Sequence, residues 1–195
     1  MKTKLLLLAA ALPLAGCISF GAKPPPSLLT LDATSAPAVG ADQNSAKTRS
    51  ITIQVPSTPT AIAGGRVPVQ ATPTTIAYVK DALWAEPPAR LFARLLSDTV
   101  SARSNMVVLS TVQSIADPSA TLAGELRRFG LDATTREAVV TYDASLTRAG
   151  KETVEKRRFE ARVPVTAIDA ASAGPAISQA ANQVAVEVAA WVAAS

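Results

Sequence analysis

The chain has 195 residues, 48% of them hydrophobic, a formal net charge of +4, no histidine and one cysteine, Cys17. The length suits one domain with a sizeable core and is short for two. A single thiol excludes an intramolecular disulfide, and the lack of histidine excludes a Ser-His-Asp triad, a Cys-His pair and histidine ligation of a metal.

Lys2 and Lys4 precede an apolar run over 5–12 that ends in Leu14-Ala15-Gly16-Cys17. The run is too short to span a bilayer permanently, and no later stretch offers about twenty uninterrupted apolar residues. Residues 1–16 read as a lipoprotein signal peptide. The Leu14-Ala15-Gly16-Cys17 pattern resembles the lipobox, which implies cleavage between Gly16 and Cys17, a diacylglyceryl thioether on the Cys17 sulfur and an acylated amino group. No aspartate follows Cys17, so the expected destination is the outer membrane, with the chain facing the periplasm. Loss of Lys2 and Lys4 leaves 17 of the 19 basic residues against 15 acidic ones, a near balance that implies no polyanionic partner. Export and the few aromatics argue against nucleic acid as a partner.

Residues 17–26, with Pro24, Pro25 and Pro26, read as a short stiff tether at about 3 Å per residue. The remainder, 27–195, reads as a single domain. A first short strand is expected over 27–31, then a mobile loop over 32–49 that lacks a hydrophobic period. Residues 50–55 alternate and place Ile51, Ile53 and Val55 on one side of a strand. A loop is expected over 56–65. A short strand over 66–70 carries Pro68 and is expected at a sheet edge, and another strand follows over 74–83.

Pro87 and Pro88 fix a helix start at about Pro88. From there Leu91, Phe92, Leu95, Leu96, Thr99 and Val100 share one face, opposite Arg90, Arg94, Asp98 and Ser101. A buried-type strand over 105–109 and a turn at 117–119 lead to three strands over 121–131, 137–146 and 153–163. Ala138, Val140, Tyr142, Ala144 and Leu146 face one way on the second, as do Phe159, Ala161 and Val163 on the third. Arg127-Arg128 and Lys156-Arg157-Arg158 are interleaved with Glu125, Asp132, Glu155 and Glu160, the pattern of a solvated sheet face with cross-strand ion pairs. A final amphipathic helix opens at Gly174-Pro175 and carries Ile177, Ala181, Val184, Val188, Trp191 and Val192. The order predicts an α+β fold: a two-layer sandwich with a mixed, mostly antiparallel sheet and two amphipathic helices on one face.

No residue qualifies as catalytic, and no metal or cofactor is implied. Gly64-Gly65 lacks the later glycine and lysine of a phosphate loop, and the acids are scattered singly. Two residues before the first helix have two readings each. Glu86 can bind a partner amide or a lipid headgroup, or favour the helix N-terminus through its dipole. Trp84 can line a lipid pocket or sit in the core.

The lipobox at Cys17, the run Ile51-Thr52-Ile53-Gln54-Val55-Pro56, and Leu83-Trp84-Ala85-Glu86-Pro87-Pro88 ahead of Leu91, Phe92, Leu95 and Leu96 together resemble the auxiliary lipoproteins of ABC-type transport systems, the family that includes paraquat-inducible lipoprotein C. Around 58–66 the match is looser, through Pro59, Ile62, Gly65 and Arg66, the last being the candidate partner contact of that turn. The resemblance implies a non-enzymatic protein that docks a periplasmic partner carrying the mammalian-cell-entry (MCE) domain to the outer membrane, in a system that moves lipids between membranes. Trp84, Glu86 and Arg66 are then candidate partner or lipid contacts, and a homo-oligomer is compatible with the reading. The alternative is a periplasmic carrier that holds acyl chains in its own cavity, for which an apolar pocket of at least several hundred cubic ångströms is needed.

Overall fold

Alternating apolar residues over 120–164 build the centre of the sheet, and its register explains which residues reach the core. A computed structural model describes residues 27–110 and 118–194; the signal peptide, Cys17 and Asp117 of the expected turn lie outside them. Strands β5 (Ala120–Asp132), β6 (Glu137–Arg148) and β7 (Val154–Pro164) form an antiparallel meander. Leu122 and Leu126 point to the core from even positions, then a register shift between Leu126 and Arg128 absorbs one residue, so that odd-numbered Phe129 and Leu131 point the same way. Such a bulge resets the strand's period of two. The predicted inward residues of β6 and β7 are all buried, with Phe159, Ala161 and Val163 inward and Arg158, Glu160 and Arg162 exposed or half-exposed.

The other edge of β5 is shared by two wings. At its start it pairs with β1 (Arg49–Ile53), whose far side pairs with β4 (Met106–Leu109); both pairings are parallel. At its end it pairs in parallel with β2 (Arg66–Thr72), which is antiparallel to β3 (Thr75–Leu83). This is a seven-stranded, mixed, open sheet with three parallel and three antiparallel strand pairings, the antiparallel ones carrying most of the register pairs. Between the wings, the chain beyond β1 follows β5 as far as Ser57, which donates through its N–H to the Gly124 carbonyl at 3.0 Å and accepts from Leu126 N–H at 2.9 Å.

Helix α2 (Pro88–Arg103) begins where the proline pair puts it, with Pro87 as N-cap, and buries the predicted face. It lies beside α3 (Ala170–Ala194) on one side of the sheet. Alanines at 173, 176, 180, 181, 185 and 189 are buried, so the helix approaches the strands closely, with Ile177, Val184, Val188 and Val192 filling the space. The α+β architecture with both long helices on one face is therefore as predicted.

Several local expectations are corrected. Over 27–31 there is no strand, only a single bridge from Leu29 to Trp84. Residues 32–48 contain no helix or strand, and Gln43 Nε2 donates to Ser101 Oγ at 2.5 Å. Val55 is 56% exposed because β1 ends at Ile53, while Ser50 and Thr52 are buried because β1 has a strand on each side. The loop over 56–65 contains one helical turn, α1 (Thr60–Ala63). Strand β2 is not at an edge; Pro68 is accommodated at a register irregularity against β3, where its missing N–H breaks no regular ladder. Strand β4 is an edge strand, with only Met106 fully buried. Helix α3 starts a turn before Gly174: the Asp169 carboxylate accepts from Ser172 N–H at 2.8 Å, and these backbone bonds hold that carboxyl below its usual range. Pro175 is tolerated inside α3 because the carbonyl it orphans, four residues earlier on Ala171, is exposed to water. Trp191 is half-buried, its ring 5.6 Å from Phe159.

Candidate functional site

The three described residues singled out as contacts lie on the backbone where the N-terminal segment meets the β2–β3 wing, and their side chains go to three different surroundings. Arg66 opens β2 and is paired with Leu83, while Gly65 accepts a bond from Trp84 N–H at 2.7 Å. Beside them Leu29 N–H donates to the Leu83 carbonyl at 2.7 Å and Ala85 N–H to the Leu29 carbonyl at 2.8 Å.

Trp84 faces inward at 4% exposure, its ring 5.2 Å from that of Phe129, and its indole N–H has no hydrogen-bond partner among the described residues. Its ring therefore meets the protein's own core, and the lipid-lining role is not available to it on the surface. Glu86 accepts two bonds from the same nitrogen of Arg94, at 2.8 and 3.0 Å, so its local partner is a side chain two turns into α2 and not a first-turn N–H. Arg66 is exposed, with its guanidinium carbon 3.8 Å from the centre of the Tyr78 ring. That stacking leaves the guanidinium donors pointing outward around the ring edge.

Asn182 belongs to this site and was not picked out from the sequence. It lies on the buried side of α3 and uses its full amide: Oδ1 accepts from Thr34 N–H and Thr34 Oγ, both at 2.9 Å, while Nδ2 donates to the carbonyls of Asp32 at 2.8 Å and Ser178 at 2.9 Å. Leu29 packs against Gly174, where an added Cβ would come within 2.9 Å of its Cδ2. Residues 28–34 thus form a strap that runs from the wing down α3. The available signal was an amide at 182, spaced by three, four and three from Ala185, Ala189 and Val192 on an otherwise apolar stripe.

The face of the sheet away from the helices carries the predicted ion pairs. Arg158 grips Asp143 with two bonds at 2.6 and 2.7 Å, and Arg127 approaches the same carboxylate at 3.7 Å. The Arg158 hydrogen bonds hold the Asp143 carboxyl below its usual range. Arg162 bridges Glu137 and Glu160, and Thr141 Oγ donates to Glu160. Among the described residues there is no group of three or more acidic, cysteine or histidine side chains that could hold a metal, and no helix is long and apolar enough to cross a membrane.

The principal clefts open outward. An apolar one of about 80 Å³ sits in the notch between the two wings, against Pro59, Ile62, Pro68, Ile76 and Phe129. Broader troughs of about 360, 610 and 510 Å³ run between the 36–48 segment and α2, along the outside of α3, and over the charged strands. None of the four lies between sheet and helices.

The structure is a two-layer α+β body with a contiguous buried core, a strap at its N-terminal end and cross-strand ion pairs on the face of the sheet away from the helices. Its sequence matches the family described as the ABC-type transport auxiliary lipoprotein component over residues 29–189, and the chain belongs to that family. The crystal structure of protein XCC0632 from Xanthomonas campestris, of the DUF330 family, which is the same family, has a TM-score of 0.71 at 21% identity, covering 86% of this chain and 95% of that one. An uncharacterized protein of known crystal structure has a TM-score of 0.61 at 18% identity, covering 75% of this chain and 90% of that one. These likenesses show the fold. No curated protein matches the chain.

Proposed function

We propose that this chain is a non-enzymatic outer-membrane lipoprotein that docks the periplasmic, MCE-domain component of an ABC-type transporter to the outer membrane, in a system that moves lipids between the two membranes. Membership of the auxiliary family supports the transport role, and the filled space between sheet and helices is the observation that favours docking over carriage. A site that buries an acyl chain needs roughly 300 Å³ or more of enclosed apolar space; the apolar notch offers about 80 Å³ and the larger troughs are open. On this reading residues 1–16 are removed, acylated Cys17 is the anchor, and residues 17–26 are its tether. One acyl chain holds a protein marginally and two signals hold it stably, so three chains make the attachment lasting.

The test is co-purification of the acylated protein with the MCE-domain component, combined with outer-membrane permeability in cells lacking the chain. Cys17→Ser is expected to abolish acylation and fail to restore the barrier, and alanine variants at exposed polar residues, Glu86 included, should lose function only when they lose partner binding. Removal of a catalytic side chain instead lowers rate with little effect on binding. A side-chain variant that folds, is acylated and binds the partner yet is functionally null would refute the docking role. An acyl lipid retained by the delipidated domain in native mass spectrometry would favour the carrier.

A further inference from the structure

The outer face of the β2–β3 wing combines exposed apolar side chains with cations that have no carboxylate partner among the described residues. Val67, Val69 and Val79 point into the core, so Arg66, Ile76, Tyr78 and Lys80 share the opposite face. Ile76 is 47% exposed there. Leu29 turns inward onto Gly174, so Leu28 turns outward beside the wing, 54% exposed. On β5 to β7 the cations Arg127, Arg158 and Arg162 are each paired with acids. On the wing neither Arg66 nor Lys80 has a carboxylate within ion-pair distance among the described residues, and the one acid of residues 66–83 is Asp81, displaced at a positive φ of 56°.

This basic and apolar face is also where the chain leaves for its anchor. The strap enters the fold at Leu28, parallel to the end of β3, so the described part of the chain begins beside the wing. Ten residues of extended, proline-bearing chain reach roughly 30 Å. The hairpin between β6 and β7 is much farther from that exit. Arg148 at its base reaches the Val192 carbonyl near the end of α3, while Leu29 packs near the start at Gly174, which places them about 27 Å apart along the helix axis.

We infer that the outer face of the β2–β3 wing lies on an anionic phospholipid surface, with Leu28, Ile76 and the Tyr78 ring at the headgroup boundary and Arg66 and Lys80 on lipid phosphates. The inference rests on the anchor at Cys17 and adds the face that the anchor presents to the bilayer. Tyr78 fits this place, having an apolar body and a polar tip. Its stacking fixes the Arg66 guanidinium, whose planar donors match phosphate oxygens. Two cations near an anionic surface favour the wing-down orientation roughly 30-fold.

The test uses the mature acylated chain in vesicles. Acylation blocks its single native cysteine, so one fluorophore can be placed in turn through Thr74→Cys at the wing tip, Val154→Cys at the far hairpin and Gln183→Cys on the outside of α3. The quencher is a lipid with a nitroxide on its headgroup, in phosphatidylcholine vesicles with and without phosphatidylglycerol. The expected result is flotation of all three proteins, severalfold stronger quenching at position 74 than at 154 or 183, and a larger difference with phosphatidylglycerol. R66E/K80E should remove the anionic part and L28S/I76S the remainder, with melting temperatures checked to exclude unfolding. Flotation with equal quenching at all three positions would overturn the inference and leave the anchor standing. Position 74 shielded from lipid in a protein that sediments as an oligomer would overturn it in favour of a second copy on the wing. Failure of the acylated chain to float would overturn the anchor reading and the inference together.

Discussion

Gly130→Ala tests whether the β2–β3 wing is held by the close approach of two backbones. A Cβ on Gly130 would lie 2.3 Å from the Pro68 carbonyl oxygen and 2.9 Å from Pro68 Cγ. A relaxed carbon-to-oxygen contact is about 3.3 Å or more, so β2 must move by roughly 1 Å. The wing meets β5 through only two register pairs, Val69 with Leu131 and Gln70 with Asp132, followed by a 2.9 Å bond from Ala133 N–H to the Gln70 carbonyl. A displacement of that size takes this bond beyond hydrogen-bonding distance and loosens Val67 and Val69. Two or so bonds at about 1 kcal/mol each, with overpacking strain of about 1 to 3 kcal/mol, put the expected loss at about 3 to 5 kcal/mol. Urea denaturation measures it, and hydrogen exchange at 67–70 should accelerate more than at β6. Gly64→Ala is the control, since an added Cβ there meets nothing within 4 Å and the backbone is not left-handed. Equal effects at 64 and 130, or faster exchange spread evenly over the sheet, would refute the reasoning.

Asn182→Ala should lower stability by about 1 to 3 kcal/mol, because four bonds are lost but Asp32 and Thr34 can turn to water; hydrogen exchange over 29–34 should rise, and an unchanged strap would refute the role of the amide. Leu95→Ala, at a fully packed position of α2, is expected to cost about 2 to 5 kcal/mol, and Arg94→Ala on the exposed side about 0.5 kcal/mol or less; equal losses would mean the buried face is misassigned. Asp143 is held below its usual range by Arg158, so its contribution is present above the ordinary carboxylate pKa of about 3.9 and is lost as pH falls through the lower folded value. Thermal melts of Asp143→Asn should therefore fall below wild type near neutrality and converge with it in strong acid. A difference that persists unchanged at the acid end would refute the assignment.

The legible parts of the sequence were those governed by local rules. Pro87-Pro88 leaves one place for α2 to start, and the alternation of β6 and β7 permits one inward face. Non-local facts were not legible. Pro68 argued for an edge, yet β2 is interior because β5 offers it an end that β1 does not occupy. Val55 continued the alternation, but the partner strand of β1 stops matching it at Ile53. Gly174-Pro175 looked like a helix start because Asp169 and two alanines are weaker punctuation than a Gly-Pro pair. Of the candidate site, the strip Leu83 to Pro88 and the core reading of Trp84 were visible; the pairing of the strip with Arg66 and the clamp by Asn182 across about 150 positions of sequence were not.

Strand β5 has one edge completed by the segment that follows it and the other by segments made long before it. β1 and β2 are both parallel to β5 and reach it across sequence gaps that include α2 and β4. Such pairings repay their loop-closure entropy late and form slowly. The meander and α3 can assemble from neighbouring chain, while the first half has no completed sheet until β5 exists. As the ribosome emits the chain, the N-terminal half therefore cannot complete its sheet until residues beyond 120 emerge. The strand order thus makes the first half of the chain depend on the second for its place in the sheet.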